Sequence, residues 1–456
     1  MFESMTFSDL TAPLDARAVN GDCRFDGVST DSRAIQPGQL FVALTGPRFD
    51  GHEYLEQVAA KGAVGALVER EVPGVALPQL VVLDTRKALA QLGAMNRNAF
   101  VDRPVAAITG SSGKTTVKEM LASIMRTRGP VLATRGNLNN ELGVPLTLLE
   151  LAPEYTSAVI ELGASRVGEI AFTVSLAKPH VAVLTNAGTA HVGEFGGPDR
   201  IVEAKGEIIE GLDANGVAVL NRDDKAFDIW RARAGSRKVL SFALGDSSAD
   251  LHASDISRDV RGCASFTLHS PLGSAPVQLN LLGTHNVANA LAAAAAAYAL
   301  GVSLDGIVSG LNNVQPVKGR AVAQMTASGL RVIDDTYNAN PGSVNAAVDI
   351  LTSFPGRKVL VLGDIGELGD WAEQGHRDVG AYARGKVCAL YAVGPLMTHA
   401  VEAFGEHAHH FATQAELITA LASEQEQNTT LLIKGSRSAA MENIVAALCG
   451  SSLEKH

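Results

Sequence analysis

Aromatic residues make up only 5% of this 456-residue chain, and its four cysteines, Cys23, Cys263, Cys388 and Cys449, lie far apart. No two of them form a CxxC pair. That excludes a zinc ribbon or a dithiol redox centre and leaves free thiols in a reducing compartment as the expectation. Long apolar runs are missing too. The most apolar stretch, residues 291–300, is alanine-rich and too short to cross a bilayer. The opening residues, MFESMTFSDL, carry neither the basic start nor the apolar run of a secretion signal. A cytoplasmic protein without a membrane span is expected. Basic charge is in deficit: 38 Lys and Arg against 48 Asp and Glu give a formal charge of −10. That balance argues against nucleic acid as a partner. An anionic small molecule remains possible, because backbone N–H groups and a few cations bind one whatever the overall sign.

What is present is glycine, 45 residues of it, within a chain that is 46% hydrophobic and 19% charged. Such a mix suits α/β layers with many tight strand–helix turns, and the length calls for two to four domains. Three regions separate. In the first, residues 1–103, short apolar runs at 40–44, 63–68 and 80–83 read as strands of a small α/β unit, with a helix over 88–100 leading out. Asp102-Arg103-Pro104 marks its end, since the residue before proline resists helix. In the second, 104–317, apolar strands at Val105–Thr109, Ser157–Glu161, 181–185 and 216–220 alternate with helices, the pattern of a parallel sheet covered on both faces. Residues 249–282 alternate polar and apolar, as antiparallel hairpins do, and 286–300 reads as a long alanine-rich helix. The third, 318–456, places strands at 330–334, 358–362, Ala389–Val393 and 430–433 between helices, a doubly wound, Rossmann-like sheet.

The strongest motif follows the strand Val105–Thr109. Gly110-Ser111-Ser112-Gly113-Lys114-Thr115-Thr116 runs directly into a helix. Glycines let backbone N–H groups turn onto phosphate oxygens, and the helix start adds partial positive charge. Lys114 can reach the terminal phosphates, and the Thr115 hydroxyl can ligate magnesium. Only two residues part the glycines here, where the common loop has four. The short form argues against switch GTPases and the common ATPases. Glu161 ends a neighbouring strand, where ligands gather in an open parallel sheet, and is a candidate magnesium ligand. His191 follows the next strand. Taken alone it reads as a structural hydrogen-bonder, but it shares the strand-end edge with Glu161 and the loop. Lys205, in Glu203-Ala204-Lys205-Gly206-Glu207, reads alone as a surface lysine.

Together these motifs resemble those of the Mur ligases, and the resemblance covers nearly the whole chain. Its carriers are Ser29-Thr30-Asp31-Ser32-Arg33, the segment 37–44, GSSGKTT at 110–116, NLNNELGVP at 137–145, Glu161-Leu162-Gly163, TNAGTAHVGEFG at 185–196, and Ala204-Lys205-Gly206-Glu207. GTHNVAN at 283–289, Gly319-Arg320, DDTYNANP at 334–341, LGDIGELG at 362–369 and Lys434-Gly435-Ser436-Arg437 complete the set. The resemblance implies three domains: a sugar-peptide-binding unit, a central ATP-binding unit, and a third that closes over ATP and takes the amine. It implies ATP-driven formation of an amide bond through an acyl phosphate, with two magnesium ions. Thr115 and Glu161 would hold one ion, and His191 would help hold the other. Lys205 would carry a carbamate from carbon dioxide, turning a cation into an anion suited to a magnesium-rich site.

Further roles follow from the same resemblance. Asn286 and Asn289 would lie on the adenine side of ATP, and Arg320, Asp335 and Asn338 would close over the nucleotide. Ser29, Thr30 and Arg33 match the uridine-side motif. Arg48, Asp50 and His52 would line the same pocket, and Asn137, Asn139 and Asn140 would contact the sugar-peptide or its phosphates. HVGEFG at 191–196 and LGDIGELG fit the branch that adds D-alanyl-D-alanine to a UDP-N-acetylmuramoyl tripeptide, and the Asp-Asn-Pro-Arg run of the diaminopimelate-adding branch is missing. Lys434, Ser436 and Arg437 would meet the dipeptide's carboxylate, since arginine suits a carboxylate fork. A monomer acting on small molecules is implied.

Three rivals stand beside this reading. A folylpolyglutamate-type ligase would share the loop and the carbamate, but the Ser29–Arg33 motif and the substantial unit ahead of the loop argue against it. A dinucleotide-dependent oxidoreductase would draw on Gly363, Gly366 and Gly369, whose GxxGxxG spacing departs from GxGxxG. A non-catalytic nucleotide-gated module conflicts with the presence of Lys114, Glu161, His191 and Lys205 together. His399, His407, His409 and His410 match no zinc spacing and read as a solvated helix face.

Overall fold

The computed structural model describes residues 1–450 apart from Thr189, Ala327 and 425–427. Three sheets carry the chain. The central one has nine strands in the order Val131–Ala133, Ser157–Glu161, Val105–Thr109, Val181–Leu184, Val217–Asn221, Lys238–Ala243, Leu251–Arg258, Cys263–Ser270, Gly273–Leu282. Pairing is parallel as far as Leu251–Arg258, then antiparallel. The hairpins expected over 249–282 therefore extend this same sheet. All five residues of Val105–Thr109 are buried, because alternate side chains serve two cores. Ala106 and Ile108 face one layer with the helices Lys114–Met125 and His285–Ala299, while Val105 and Ala107 face the opposite one. The alanine run 290–297 is buried all round, as an apolar helix without a polar face must be.

The register explains where a ligand can bind. Ile108 pairs with Glu161, and Thr109 pairs with Leu184. Three neighbouring strands thus end at one level, and the phosphate-loop segment starts from the middle one.

The C-terminal sheet has the order Val322–Met325, Arg331–Asp335, Thr429–Lys434, Arg357–Gly363, Ala389–Val393, Ala408–Phe411, antiparallel only at the first pair. Leu360 and Leu362 face the helices Pro341–Thr352 and Ala372–Ala383, and Val359 and Val361 face Gln414–Leu421 and Glu442–Cys449. This is the doubly wound layering expected of the third region. The histidines do not form a helix face. His399 lies on the helix Met397–Phe404, but His409 and His410 lie on the edge strand Ala408–Phe411, where His410 donates to the Gly394 carbonyl at 2.7 Å.

The N-terminal sheet has five strands, Arg17–Val19, Gln79–Val81, Gly65–Val68, Gln39–Val42 and Gly27–Ser29. The helix Thr85–Ala99 leaves it with Asp84 as N-cap, accepting from the Arg86 and Lys87 N–H groups. Its far end is fastened to the central unit. Asn96 donates to the Leu148 and Leu151 carbonyls, and the buried Arg97 guanidinium donates to the carbonyls of Ala177, Phe100 and Lys178.

Candidate active site

A cleft of about 1760 Å³ opens over the C-terminal edge of the central sheet. Its walls are the phosphate-loop segment, residues 136–142, the strand end at Glu161, the start of His285–Ala299, and the facing edge of the C-terminal sheet.

The loop is built to hold its shape. Gly113 stands at φ 82 and Gly110 at φ 148, values that side chains resist, and a Cβ at Gly113 would collide with the Asn289 amide oxygen. The next strand end clamps it. The Ser111 N–H donates to the Asn186 carbonyl at 3.0 Å, Ser112 N–H to Asn186 Oδ1 at 3.0 Å, and the Thr185 hydroxyl to the Ser112 carbonyl at 2.7 Å. Thr185 and Asn186 were legible only as part of TNAG. Lys114 donates to the Gly110 carbonyl at 2.7 Å. Desolvation lowers its pKa, and the Arg320 guanidinium works in the same direction against the carboxylate of Glu161.

Glu161 is buried. Its Oε1 accepts from Asn139 Nδ2 at 2.9 Å, and its N–H donates to the Thr134 hydroxyl at 2.9 Å. Its Oε2 is buried without a hydrogen-bond partner, and so is Arg320 Nε. Orphans of this kind are costly unless a ligand completes them. A bare carboxylate oxygen suits a divalent cation and a bare guanidinium N–H suits a phosphate oxygen, so these residues fit magnesium and a nucleotide. Arg320 reaches in from the third unit: its Nη2 donates to the Thr115 hydroxyl at 2.9 Å and its guanidinium carbon lies 4.2 Å from the Tyr337 ring centroid.

Lys205 is no surface residue. It is 1% exposed, on the helix Pro198–Gly206, with Nζ 5.1 Å from the Phe195 ring centroid and a single long hydrogen bond, 3.4 Å, to the Ala164 carbonyl. Burial, reinforced by the Lys114 cation, drives its pKa well below the ordinary lysine value. Glu207 beside it accepts from the N–H groups of Gly168 and Ala171, at 2.7 and 2.9 Å, and makes no ion pair with it.

His191 takes a left-handed conformation, φ 59, at the start of the short helix Val192–Phe195. Its Nδ1 lies 2.7 Å from Glu367 Oε2 and 3.1 Å from Glu194 Oε2. The hydrogen bond from His191 holds the Glu367 carboxyl below its usual range. Neither glutamate was singled out from sequence, although LGDIGELG contains Glu367. The glycines of that motif do not open a cofactor loop. A Cβ on Gly193 would lie about 2.6 Å from the Leu368 carbonyl carbon, so 367–369 is packed against 193 instead. The helix that follows starts only at Ala372.

The family patterns that match this chain are the Mur ligase middle domain over residues 108–297, the Mur ligase glutamate ligase domain over 319–437 and the Mur ligase family catalytic domain over 24–97. The UDP-N-acetylmuramoyl-tripeptide–D-alanyl-D-alanine ligase of Escherichia coli is 46% identical over 448 residues, 98% of each chain. This chain belongs to the Mur ligase family. Among solved structures, MurF of Acinetobacter baumannii superposes with a TM-score of 0.93 at 44% identity, covering 99% of this chain and 100% of the other. The Thermotoga maritima MurF ligase in complex with ADP gives 0.84 at 28% identity, covering 93% and 97%.

The remaining expected residues of this Mur ligase divide in two. Asn137, Asn139, Asn140, Asn286, Asn289, Asp335, Asn338, Lys434 and Arg437 all line the cleft. Asn289 donates to Asn286 Oδ1 at 2.8 Å, and Asn286 in turn to the Leu282 carbonyl at 2.8 Å. Lys434 is already committed, donating to Asp335 Oδ2 at 2.7 Å and to the Asn338 carbonyl at 2.9 Å. It orients those two rather than standing ready for a carboxylate. Ser436 is buried, donates to the Asp364 carbonyl at 2.7 Å, and is not among the residues lining the cleft.

Ser29, Thr30, Arg33, Arg48 and Asp50 lie outside this cleft, on the N-terminal unit, of which only Arg86 lines it among the described residues. Ser29 and Asp31 share a turn in which Arg33 pairs with Asp31 at 2.8 Å, holding the Asp31 carboxyl down at about 2. His52 is buried, with Nδ1 2.6 Å from Asp50 Oδ1, while Nε2 accepts from the Glu69 N–H at 2.9 Å. Both ring nitrogens are engaged, so His52 braces Asp50 from behind rather than facing a ligand. Among the described residues no helix is long and apolar enough to cross a membrane.

Proposed function

We propose that this Mur ligase joins D-alanyl-D-alanine to the tripeptide carboxylate of UDP-N-acetylmuramoyl-tripeptide, consuming ATP and yielding the pentapeptide precursor of peptidoglycan with ADP and phosphate. One observation carries the chemistry: the phosphate loop and the unpaired Glu161 oxygen line one cleft, and the desolvated Lys205 lies just behind its wall, its amine on the carbonyl of the cleft-lining Ala164. The choice of substrates rests on the full-length likeness to the Escherichia coli ligase of that name. The folylpolyglutamate-type and oxidoreductase alternatives have no comparable support.

The carboxylate attacks the γ-phosphorus of ATP, ADP leaves, and the resulting acyl phosphate is attacked by the dipeptide's amine, which expels phosphate. Both steps bring anions together, so the site must neutralise charge. Lys114 and Arg320 supply fixed cations. Magnesium, when bound, adds the rest: Thr115 and Glu161 would hold one ion, and His191 with a carbamylated Lys205 the second. Lys205 is suited to that modification because its neutral amine can add to carbon dioxide, forming an N–C bond and releasing one proton.

Asn286 and Asn289 serve the adenine side, and Arg320, Asp335 and Asn338 close over the nucleotide. Ser29, Thr30, Arg33, Arg48 and Asp50 bind the uridine end, and Asn137, Asn139 and Asn140 take the middle of the sugar-peptide. Arg437, 65% exposed at its side chain and paired with Glu442 at 2.9 Å, receives the dipeptide's carboxylate. The units divide near residues 103 and 317, and the protein works in the cytoplasm as a monomer. The test is isotopic. With ¹⁸O in the tripeptide's reacting carboxylate, an acyl phosphate places one labelled oxygen in the released phosphate. Unlabelled phosphate would sink the mechanism.

A further inference from the structure

We infer that Glu367 is a positioning residue through which docking of the C-terminal unit sets His191 in its metal-binding form. This rests on the reading above, in which His191 holds a magnesium ion. The two residues belong to different units, His191 beyond the central strand Val181–Leu184 and Glu367 beyond the C-terminal strand Arg357–Gly363. Their side chains meet at 2.7 Å, Glu367 Oε2 to His191 Nδ1.

A carboxylate accepts only from a protonated ring nitrogen. In the neutral ring the contact therefore places the proton on Nδ1 and leaves the lone pair on Nε2, the nitrogen free to ligate a cation. Such a carboxylate behind a metal-bound histidine fixes both the tautomer and the ring plane. Glu194 lies farther off, at 3.1 Å, and stands three residues along the same segment as His191. It moves with His191 and cannot report docking.

The segment that presents Glu367 is fastened from behind and pressed from in front. Ahead of it, Asp364 Oδ1 accepts from the Leu396 and Met397 N–H groups at 3.1 and 3.0 Å, its carbonyl accepts from Ser436, and the Ile365 N–H donates to the buried His376. Glu367 itself is held at φ 65, a conformation that side chains other than glycine seldom adopt. Its carbonyl accepts from the Gly193 N–H at 3.3 Å, and no Cβ fits between Gly193 and Gly369. The same rigid turn that forms the contact between the units thus delivers the carboxylate to His191. Undocking removes it and frees the ring. The second metal position is then complete only when the C-terminal unit is in place, which delays its filling until the substrates have closed the cleft.

The experiment counts Mn²⁺ bound to the full-length protein by electron paramagnetic resonance, with a non-hydrolysable ATP analogue and the tripeptide substrate present. The wild type should take up two ions. Glu367→Ala should bind the first, at Thr115 and Glu161, with unchanged affinity and the second at least tenfold more weakly. Glu367→Gln, whose amide oxygen still accepts from Nδ1–H, should recover most of that loss. A merely structural role would move the thermal midpoint instead and leave the ratio of the two affinities alone. Two ions in the wild type with equal affinities in Glu367→Ala would overturn the coupling and leave the ligase reading standing. One ion in the wild type would overturn the second metal position and the coupling with it. No ion at all would count against the ligase reading itself.

Discussion

Replacing Lys205 with methionine should stabilise the protein while destroying its activity, and the gain should depend on pH in a calculable way. Lys205 is 1% exposed and has no carboxylate partner, so its charge is expensive. In the folded chain burial lowers its pKa well below the ordinary 10.5. A lysine with a depressed folded pKa costs stability at low pH, where the folded state must carry the charge. The cost shrinks as pH rises through the window between the folded pKa and 10.5, because there the unfolded chain binds a proton that the folded chain does not. In that window the wild type should gain about 1.4 kcal/mol per pH unit relative to Lys205→Met. The difference between the two should therefore narrow steadily as pH rises through that window. Trp230 is the natural reporter. It is fully buried, and its Nε1 donates to the Val202 carbonyl at 3.0 Å, on the same helix as Lys205. Urea titrations in CO2-free buffer, followed by fluorescence in a Trp371→Phe background, give the two stabilities. Parallel profiles would mean that Lys205 stays charged in the fold. The neutral amine that the carbamate requires would then be lost from the argument.

Three other substitutions test separate parts of the structure. Gly113→Ala forces a side chain into φ 82 and against Asn289, which should cost about 1–2 kcal/mol of strain and lower ATP affinity at least tenfold; calorimetric titration with an unchanged ATP affinity would contradict the role given to the loop. Arg97→Ala strips donors from three backbone carbonyls where the helix Thr85–Ala99 meets the central unit, and should destabilise by about 3 kcal/mol in denaturant unfolding. A loss below about 0.5 kcal/mol would show that water replaces the guanidinium freely. Gly193→Ala should cut kcat more than tenfold with little change in ADP affinity, because the new methyl would press on the backbone at Leu368 and Gly369 and hold the third unit off. Full activity in that variant would refute the docking contact.

Much of the fold was legible because its central strands are buried on both faces. Val105–Thr109, Ser157–Glu161 and Ala389–Val393 each hold an unbroken apolar stretch of three or more residues, and the structure places strands over those same residues. The edge strands Val131–Ala133, Val322–Met325 and Ala408–Phe411 escaped notice because they are short and largely exposed or half-buried, and carry no such signal. The site divides in the same way. The phosphate-loop segment is local, so spacing and context reveal it. The desolvation of Lys205, the commitment of Lys434 to Asp335, the burial of His52 and the meeting of Glu367 with His191 all depend on contacts between distant segments. A motif can name such residues, but only packing decides which of their atoms remain free for a ligand.

The central claim is that ATP cleavage here is tied to joining two particular substrates. Phosphate release from ATP should be measured with UDP-N-acetylmuramoyl-tripeptide, in the presence and absence of D-alanyl-D-alanine, and the product weighed by mass spectrometry. The account predicts sustained release only with both substrates and a product heavier by the condensed dipeptide. Sustained release with a different amine, or without any amine, would contradict it.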